Sequence, residues 1–171
     1  DGQLYTTSTA KTASGEALKV AKVGTGLPTT GINEMVNIPG VSAANSAQVF
    51  FADLDKSVSG NDVLYVVDIT TGITKYSLVK GDWVSNGSPF KASSYHGITG
   101  ITEGGKVTLY VTRKNTGSKN PGNGELVKIV DESGYNGTFA AKPSEPIVKF
   151  GKGSNKYLRR VAFVPGTVTA K

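Results

Sequence analysis

Leu109-Tyr110-Val111-Thr112 decides the fold together with its return strand, Leu126-Val127-Lys128-Ile129-Val130. Both stretches are rich in β-branched and aromatic residues, which favour strands. A polar, glycine-containing stretch over 115–124 separates them. Two strand-like runs joined in this way predict a β-hairpin with a long connecting loop.

The same two-strand pattern is found at two further places in the chain. A Leu-Tyr dipeptide opens each occurrence, and the tyrosines are separated by about 60 and about 45 residues, a spacing typical of propeller blades with variable loops. The strand that follows each Leu-Tyr strand carries a lysine at the matching place. The three pairs are Tyr5 with Lys19, Tyr65 with Lys75, and Tyr110 with Lys128.

A compact apolar strand precedes the second and third Leu-Tyr strands, and another ends the chain. These strands are Val49-Phe50-Phe51, Ile98-Thr99-Gly100-Ile101 and Val161-Ala162-Phe163. Each unit therefore has an inner strand, a Leu-Tyr strand, a Lys-bearing strand and an irregular outer strand. No window shows the periodicity of an amphipathic helix.

The pattern predicts a single all-β domain, a β-propeller segment of about three four-stranded blades. Two blades cover residues 46–92 and 93–156. The other covers 1–45 and is completed by a closing strand over 157–165, which hides an open sheet edge. A β-sandwich of short antiparallel strands is the alternative, but it gives no reason for the repeated Leu-Tyr and Lys strands.

Three blades are too few to close a ring, since propellers usually have about four to eight. We therefore expect half of a closed ring and an oligomeric assembly. The partner is another propeller half, either a second copy or a separate N-terminal chain.

Composition limits the classes of function. The chain has 171 residues, 37% of them hydrophobic, and no cysteine, which fits one domain without disulfides or thiolate metal sites. The net charge is +6, with the basic residues spread along the chain. No aromatic stripe lies on a basic face, so nucleic-acid binding is not predicted. No stretch is apolar enough for a membrane span.

Several segments resemble a recurring blade of secreted bacterial β-propeller modules. They are Val63-Leu64-Tyr65-Val66-Val67-Asp68, Gly72-Ile73-Thr74-Lys75-Tyr76-Ser77-Leu78, Leu109-Tyr110-Val111-Thr112-Arg113-Lys114, Gly124-Glu125-Leu126-Val127 and the ending Arg160-Val161-Ala162-Phe163-Val164-Pro165. The likeness covers roughly 46–166, and Tyr76 stands where that group is expected to have Trp. The resemblance implies a secreted or cell-surface location, further blades upstream and no assigned chemistry.

His96 is the single histidine of the chain, and it opens an inner strand whose side chains would face a propeller's central channel. Arg159 aligns with it in the last blade. Together with Tyr95, Tyr157 and Arg160, these residues predict a ligand-binding pocket at the channel mouth for an anion or a sugar acid. The alternative is a surface histidine beside two solvated arginines.

Asp53, Asp55 and Asp62 offer oxygen ligands of the kind that calcium prefers. The EF-hand loop needs Gly at its sixth position, where Val58 stands, so this is not that motif. An ordinary turn explains the same residues. We therefore predict no cofactor, with calcium as the open possibility.

No catalytic set can be assembled from the sequence, because His96 has no Gly-x-Ser-x-Gly partner and no pair of carboxylates stands out. We therefore expect a non-catalytic secreted or cell-surface module that binds a partner protein or a glycan. One alternative is half of a propeller enzyme, a polysaccharide lyase or hydrolase, whose active site another chain completes. A structural, self-assembling domain is the other.

Overall fold

The computed structural model describes residues 2–11, 15–90, 94–114, 124–151, 154, 156 and 158–164. Across these ranges the chain forms eleven β-strands and no helix. Every strand runs antiparallel to its neighbours, and the strands form three separate sheets. The all-β prediction is confirmed.

The three sheets follow one another along the chain. The first sheet contains β1 (Tyr5–Thr7), β2 (Val20–Val23) and β3 (Met35–Asn37) in that order. The second contains β4 (Ser46–Ala52), β5 (Val63–Asp68), β6 (Gly72–Val79) and β7 (Asp82–Gly87). The third contains β8 (Tyr95–Glu103), β9 (Lys106–Lys114), β10 (Gly124–Asp131) and β11 (Val148–Lys149). In the second and third sheets the strands lie in sequence order, as meanders.

The strand register bears out the Tyr-Lys repeat in two sheets and corrects it in the first. Tyr65 lies directly opposite Lys75, and Tyr110 lies directly opposite Lys128. In the first sheet the residue opposite Tyr5 is Lys22, so the assignment of Lys19 was wrong. The register there is set by burial of Leu18 and Val20, which leaves Lys19 just before β2.

Both four-stranded sheets have a β-bulge at the same place in the inner strand. The bulge in β4 lies between Ser46 and Gln48, and the bulge in β8 lies between Tyr95 and Gly97. Each bulge ends two residues before the residue that pairs with the tyrosine of the Leu-Tyr strand, which is Phe50 in one sheet and Thr99 in the other. Ala47 and His96 are therefore structurally equivalent. A bulge leaves its extra residue out of the ladder, so both backbones are open to other contacts here.

The sheets stack face to face, and the second sheet is covered on both sides. All six residues of β5 are buried. Val63, Tyr65 and Val67 pack in one apolar cluster with the third sheet, whereas Leu64 and Val66 pack in another with the first sheet. Alternation along a strand places these two sets on opposite faces. The described residues therefore form three layers, one more than the two sheets of a sandwich.

The interface between the second and third sheets contains buried polar groups. The hydroxyl of Tyr65 donates a hydrogen bond of 2.6 Å to Oδ2 of Asp131, at the end of β10. The ammonium group of Lys75 binds the same oxygen. Charge-assisted hydrogen bonds depend strongly on geometry. These two contacts therefore help to fix the position of the third sheet on the second.

The end of the chain differs from the predicted closing strand. Residues 158–164 have no strand assignment and no ladder with β1, and positions 157 and 165 lie outside the described residues. This segment instead packs on the second and third sheets, where Phe163 stacks edge-on against Tyr110 at 5.6 Å. Each sheet lies inside one predicted blade span, but the division into propeller blades stays a prediction.

Candidate functional site

A cavity of about 470 Å³ lies where the three sheets and the C-terminal segment meet. Residues 7–9 at the end of β1 and residues 45–47 at the start of β4 form two of its walls. His96 of β8 and Ile69 form another, and Arg159 and Arg160 complete the lining. The cavity thus draws its residues from five separate segments of the chain.

Arg160 ties the C-terminal segment to the two equivalent bulges. Its guanidinium donates to the carbonyl oxygen of Ala47 and, at 3.3 Å, to that of His96. Arginine has a planar fork of donors, so one side chain can reach both carbonyls while keeping its positive charge at the cavity. The bulges expose these carbonyls because they interrupt the ladder.

The backbone of the C-terminal segment is held by neutral side chains. The hydroxyl of Thr112 donates to the carbonyl of Arg159 at 3.2 Å, and the amide of Gln48 donates to the carbonyl of Val161 at 3.2 Å. Gln48 in turn accepts a hydrogen bond from the backbone N–H of Ile98. These contacts give Arg159 and Arg160 a defined position over the sheet ends.

Gly97 allows this close approach. A Cβ at this position would lie 2.8 Å from the carbonyl oxygen of Arg159 and 2.8 Å from Cα of Arg160. It would also lie 2.7 Å from the hydroxyl oxygen of Thr112. A glycine is required here because the backbone of the C-terminal segment occupies the space of a side chain.

The cavity is electropositive. Burial lowers the pKa of His96, and the positive charges of Arg159, Arg160 and Lys114 lower it further. The imidazole is therefore neutral at physiological pH and offers one donor and one acceptor, while the arginines carry the charge. A positively charged site of this kind favours an anion. A negatively charged ligand would also raise the pKa of His96 part of the way back to its ordinary value.

The structure brings together three of the five predicted site residues: His96, Arg159 and Arg160 line the cavity. Tyr95 does not lie at the cavity, and that prediction was wrong. It is 1% exposed and packs between the second and third sheets, with its ring 5.9 Å from that of Phe90. The bulge at His96 interrupts the regular alternation of the strand, so Tyr95 lies in the core between the sheets whereas His96 lines the cavity. Tyr157 lies outside the described residues.

Residues 7–9, Asn45 and Ile69 were missed by the sequence reading, because nothing local marks them as neighbours of His96. Ala47 had a usable signal, since it aligns with His96 once the apolar strands Val49-Phe50-Phe51 and Ile98-Thr99-Gly100 are superposed. The matching of Arg159 to His96 as equivalent strand positions was wrong, because Arg159 belongs to no strand.

The three candidate calcium ligands take part in turn hydrogen bonds. Asp62 accepts from the backbone N–H groups of Leu54 and Asp55. Asp55 accepts from the N–H and hydroxyl of Ser57, and these bonds lower the pKa of Asp55. Asp53 forms a 2.8 Å ion pair with Lys56. Within the described ranges no group of three or more His, Cys, Asp or Glu side chains is arranged to hold a metal ion.

Comparison of the chain with protein-family models, curated proteins and solved structures finds no match. The resemblance to secreted propeller modules therefore stays a prediction. Among the described residues there is no helix with the length and hydrophobicity needed to cross a bilayer.

Proposed function

We propose that this chain is a β-propeller segment that works as a non-catalytic binding module outside the cell. Its ligand is an anionic sugar, held through its carboxylate at the cavity beside His96, Arg159 and Arg160. The observation that carries the proposal is the placement of Arg160 across the carbonyls of the two equivalent bulge residues, Ala47 and His96. Two repeated units thus contribute matching groups to one site.

The stacking of the sheets supports the propeller part of the proposal. Propeller blades are four-stranded antiparallel meanders packed face to face around an axis, with their first strands nearest that axis. The second and third sheets are such meanders, and they pack on each other through one continuous apolar cluster. Their first strands, β4 and β8, both open at the cavity.

The chemistry of the cavity supports a sugar acid. Two guanidinium groups are suited to a carboxylate, which arginine recognises through paired N–H donors. Thr7, Ser8 and Thr9 also line the cavity. The hydroxyl of Thr7 donates to the carbonyl of Ala47. Hydroxyl groups are able to donate or accept, as sugar hydroxyls require. The lining of the described residues includes no carboxylate that would repel an acidic ligand.

Isothermal calorimetry with glucuronate tests this function, with glucose as the neutral comparison. We expect glucuronate to bind and glucose to bind about tenfold or more weakly, since a charge-assisted bond is lost. Arg159→Ala and His96→Ala should each weaken glucuronate binding. Lys56→Ala removes one positive charge, as Arg159→Ala does, but at an exposed site outside the cavity lining, and it should leave binding unchanged. Equal affinity for glucose, or unchanged binding in both variants, would overturn the proposal.

A second proposal concerns assembly with another propeller half. Tyr110 and Lys128 form the same cross-strand pair as Tyr65 and Lys75 but lie on the outer face of the third sheet, where Lys128 is exposed. Exposed apolar residues gather at both ends of the stack. Around the first sheet these are Leu4, Leu27, Ile32, Met35 and Val36, and beside the third they are Ile147, Val148, Phe163 and Val164.

We propose a second copy of the chain as the partner, because each copy exposes apolar residues at both ends of its stack of sheets. In a ring of two copies, each exposed end of one copy packs against an exposed end of the other. Analytical ultracentrifugation should show a dimer that Val148→Asp weakens. Lys80→Asp, at the exposed turn between β6 and β7 of the middle sheet, is the control and should leave the mass unchanged. A monomer at every concentration up to the solubility limit would rule out self-assembly.

A further inference from the structure

The first and second sheets enclose a cavity of about 410 Å³ that shares no lining residue with the one beside His96. Its walls combine aromatic rings, aliphatic side chains and one cation. The residues that matter for its chemistry are Tyr5, Lys22, Phe51, Asn61, Leu78 and Trp83. Among the described residues, Lys22 is the one basic residue in its lining, which includes no carboxylate.

The structural repeat relates this cavity to the next sheet interface. Lys128 and Lys75 hold equivalent positions, because each lies opposite the tyrosine of a Leu-Tyr strand. Asp131 lies three residues after Lys128, and Leu78 lies three residues after Lys75. Asp131 and Leu78 are therefore equivalent, and each faces the preceding sheet. Leu78 packs in the cluster between the first and second sheets, as this equivalence requires.

The two interfaces use the same Tyr-Lys pair differently. In the second interface Tyr65 and Lys75 both bind the carboxylate of Asp131. In the first interface the corresponding pair is Tyr5 and Lys22, and the residue at the position of Asp131 is Leu78. The first interface thus has a tyrosine and a lysine lining a cavity, whereas in the second interface the equivalent pair binds a carboxylate that the chain itself supplies.

We infer that this cavity binds a small aromatic carboxylic acid, with the carboxylate at Tyr5 and Lys22 and the ring among Phe51 and Trp83. Tyr5 and Phe51 stack with ring centroids 4.6 Å apart, and Phe51 meets Trp83 edge-on at 5.8 Å. Such a wall favours a flat ring, which gains from stacked or edge-to-face contacts. Lys22 is exposed, so a ligand has access to its ammonium group from solvent.

Trp83 reports directly on this site, because it is the single tryptophan of the chain and lines the cavity. Benzoate is the probe, followed by tryptophan fluorescence, with benzamide as the neutral isostere and acetate as the ringless acid. We expect a saturable change with benzoate. Benzamide and acetate should bind about tenfold or more weakly, because each loses one of the two recognition elements.

Lys22→Met tests the cation while keeping a long apolar side chain, and it should weaken benzoate binding about tenfold. Lys19→Met makes the same replacement three residues earlier, outside the cavity lining, and should bind benzoate like the parent chain. If Lys22→Met bound benzoate as tightly as the parent chain does, the inference would be overturned. An absence of any saturable change with the parent chain would overturn it as well.

Leu78→Asp supplies the complementary test, because it places a carboxylate at the position of Asp131. That carboxylate should occupy the Tyr5–Lys22 pair and prevent benzoate binding, whereas Leu78→Asn should retain most of it. Circular dichroism establishes that each variant is folded, and Lys22→Met decides the question if Leu78→Asp is not. Benzoate binding in a folded Leu78→Asp equal to that in Leu78→Asn would contradict the inference. His96→Ala should not affect benzoate binding, so this site and the sugar-acid site are tested separately.

Discussion

The ammonium nitrogen of Lys75 lies 2.9 Å from Oδ2 of Asp131, with 0% of the lysine side chain and 3% of the aspartate side chain exposed. The two residues belong to different sheets. The other carboxylate oxygen accepts from the N–H and the hydroxyl of Ser133, so both oxygens of Asp131 are bonded. An ion pair that is buried and fully hydrogen-bonded makes the alignment of the second and third sheets specific, because a shifted alignment would leave a charge unpaired.

Asp131→Ala should destabilise the protein by about 3–5 kcal/mol, because it leaves the buried ammonium group of Lys75 without a compensating negative charge. Urea unfolding followed by circular dichroism measures the change. Glu132→Ala removes the neighbouring carboxylate, whose partner Lys106 is exposed. It should cost less than about 1 kcal/mol. Equal effects of the two variants would contradict the importance given to burial.

Replacing both members of the pair should be far less harmful than removing one. Lys75→Met combined with Asp131→Leu leaves no uncompensated charge and fills similar volume, and such replacements are often close to neutral. The free energy of unfolding of the double variant should therefore exceed that of Asp131→Ala. A double variant as unstable as the sum of its single variants would mean that the two residues act independently.

The stability of the protein should fall at acid pH. Burial by itself would raise the pKa of Asp131, but hydrogen bonds from Ser133, Tyr65 and Lys75 outweigh it and hold this pKa below its ordinary value of 3.8. The unfolded state then binds a proton more readily than the folded state does. The stability that the ionised carboxylate of Asp131 contributes is therefore complete above its ordinary pKa and is lost as pH falls through its pKa in the folded state. Urea midpoints measured from neutral pH downward should decline below about pH 4.

Asp131→Asn is the comparison for this acid dependence, because an amide does not titrate. Its urea midpoint should decline less steeply. Asp68 contributes in both proteins, because local hydrogen bonds outweigh the effect of its burial and lower its pKa as well. Parallel pH profiles for the two proteins would show that Asp131 is not a source of the acid sensitivity.

Gly97→Ala should displace the C-terminal segment from the third sheet. The added methyl group would overlap the backbone of Arg159 and Arg160, and overpacking of this kind costs about 1–3 kcal/mol. Limited proteolysis should cleave the C-terminal segment faster in this variant, and glucuronate binding should weaken. Gly151→Ala is the control, since no atom lies within 4 Å of a Cβ built there. Identical cleavage in both variants would refute the packing role of Gly97.

Ligand binding should raise the pKa of His96. Burial and the three nearby positive charges hold this pKa below its ordinary value of 6.5, and an anion in the cavity offsets part of the repulsion by those charges. By linkage, glucuronate affinity should increase as pH falls below that value. The single histidine makes its imidazole signals in NMR unambiguous. A His96 pKa that is unchanged by saturating glucuronate would place the ligand elsewhere.

The local strand pattern could be predicted because it depends on residues close in sequence. The hairpin around Tyr110 and Lys128 and the pair Tyr65 and Lys75 are both found with the expected register. Lys19 was misassigned because the first unit has weaker patterning, and burial of Leu18 and Val20 decided its register. Tyr95 was misplaced because neither the bulge nor the buried space beside Phe90 is visible before the sheets are stacked.

By itself, the sequence determined that the chain is all-β, where its main hairpins form and which residues face each other within them, because alternation and turn chemistry act over short distances. Tertiary structure alone decided which sheet faces lie together. That choice buries Lys75 against Asp131, leaves Lys22 at a cavity and brings Arg160 to the carbonyls of Ala47 and His96. Such contacts join residues from different sheets, and their energies exist only after the layers have packed.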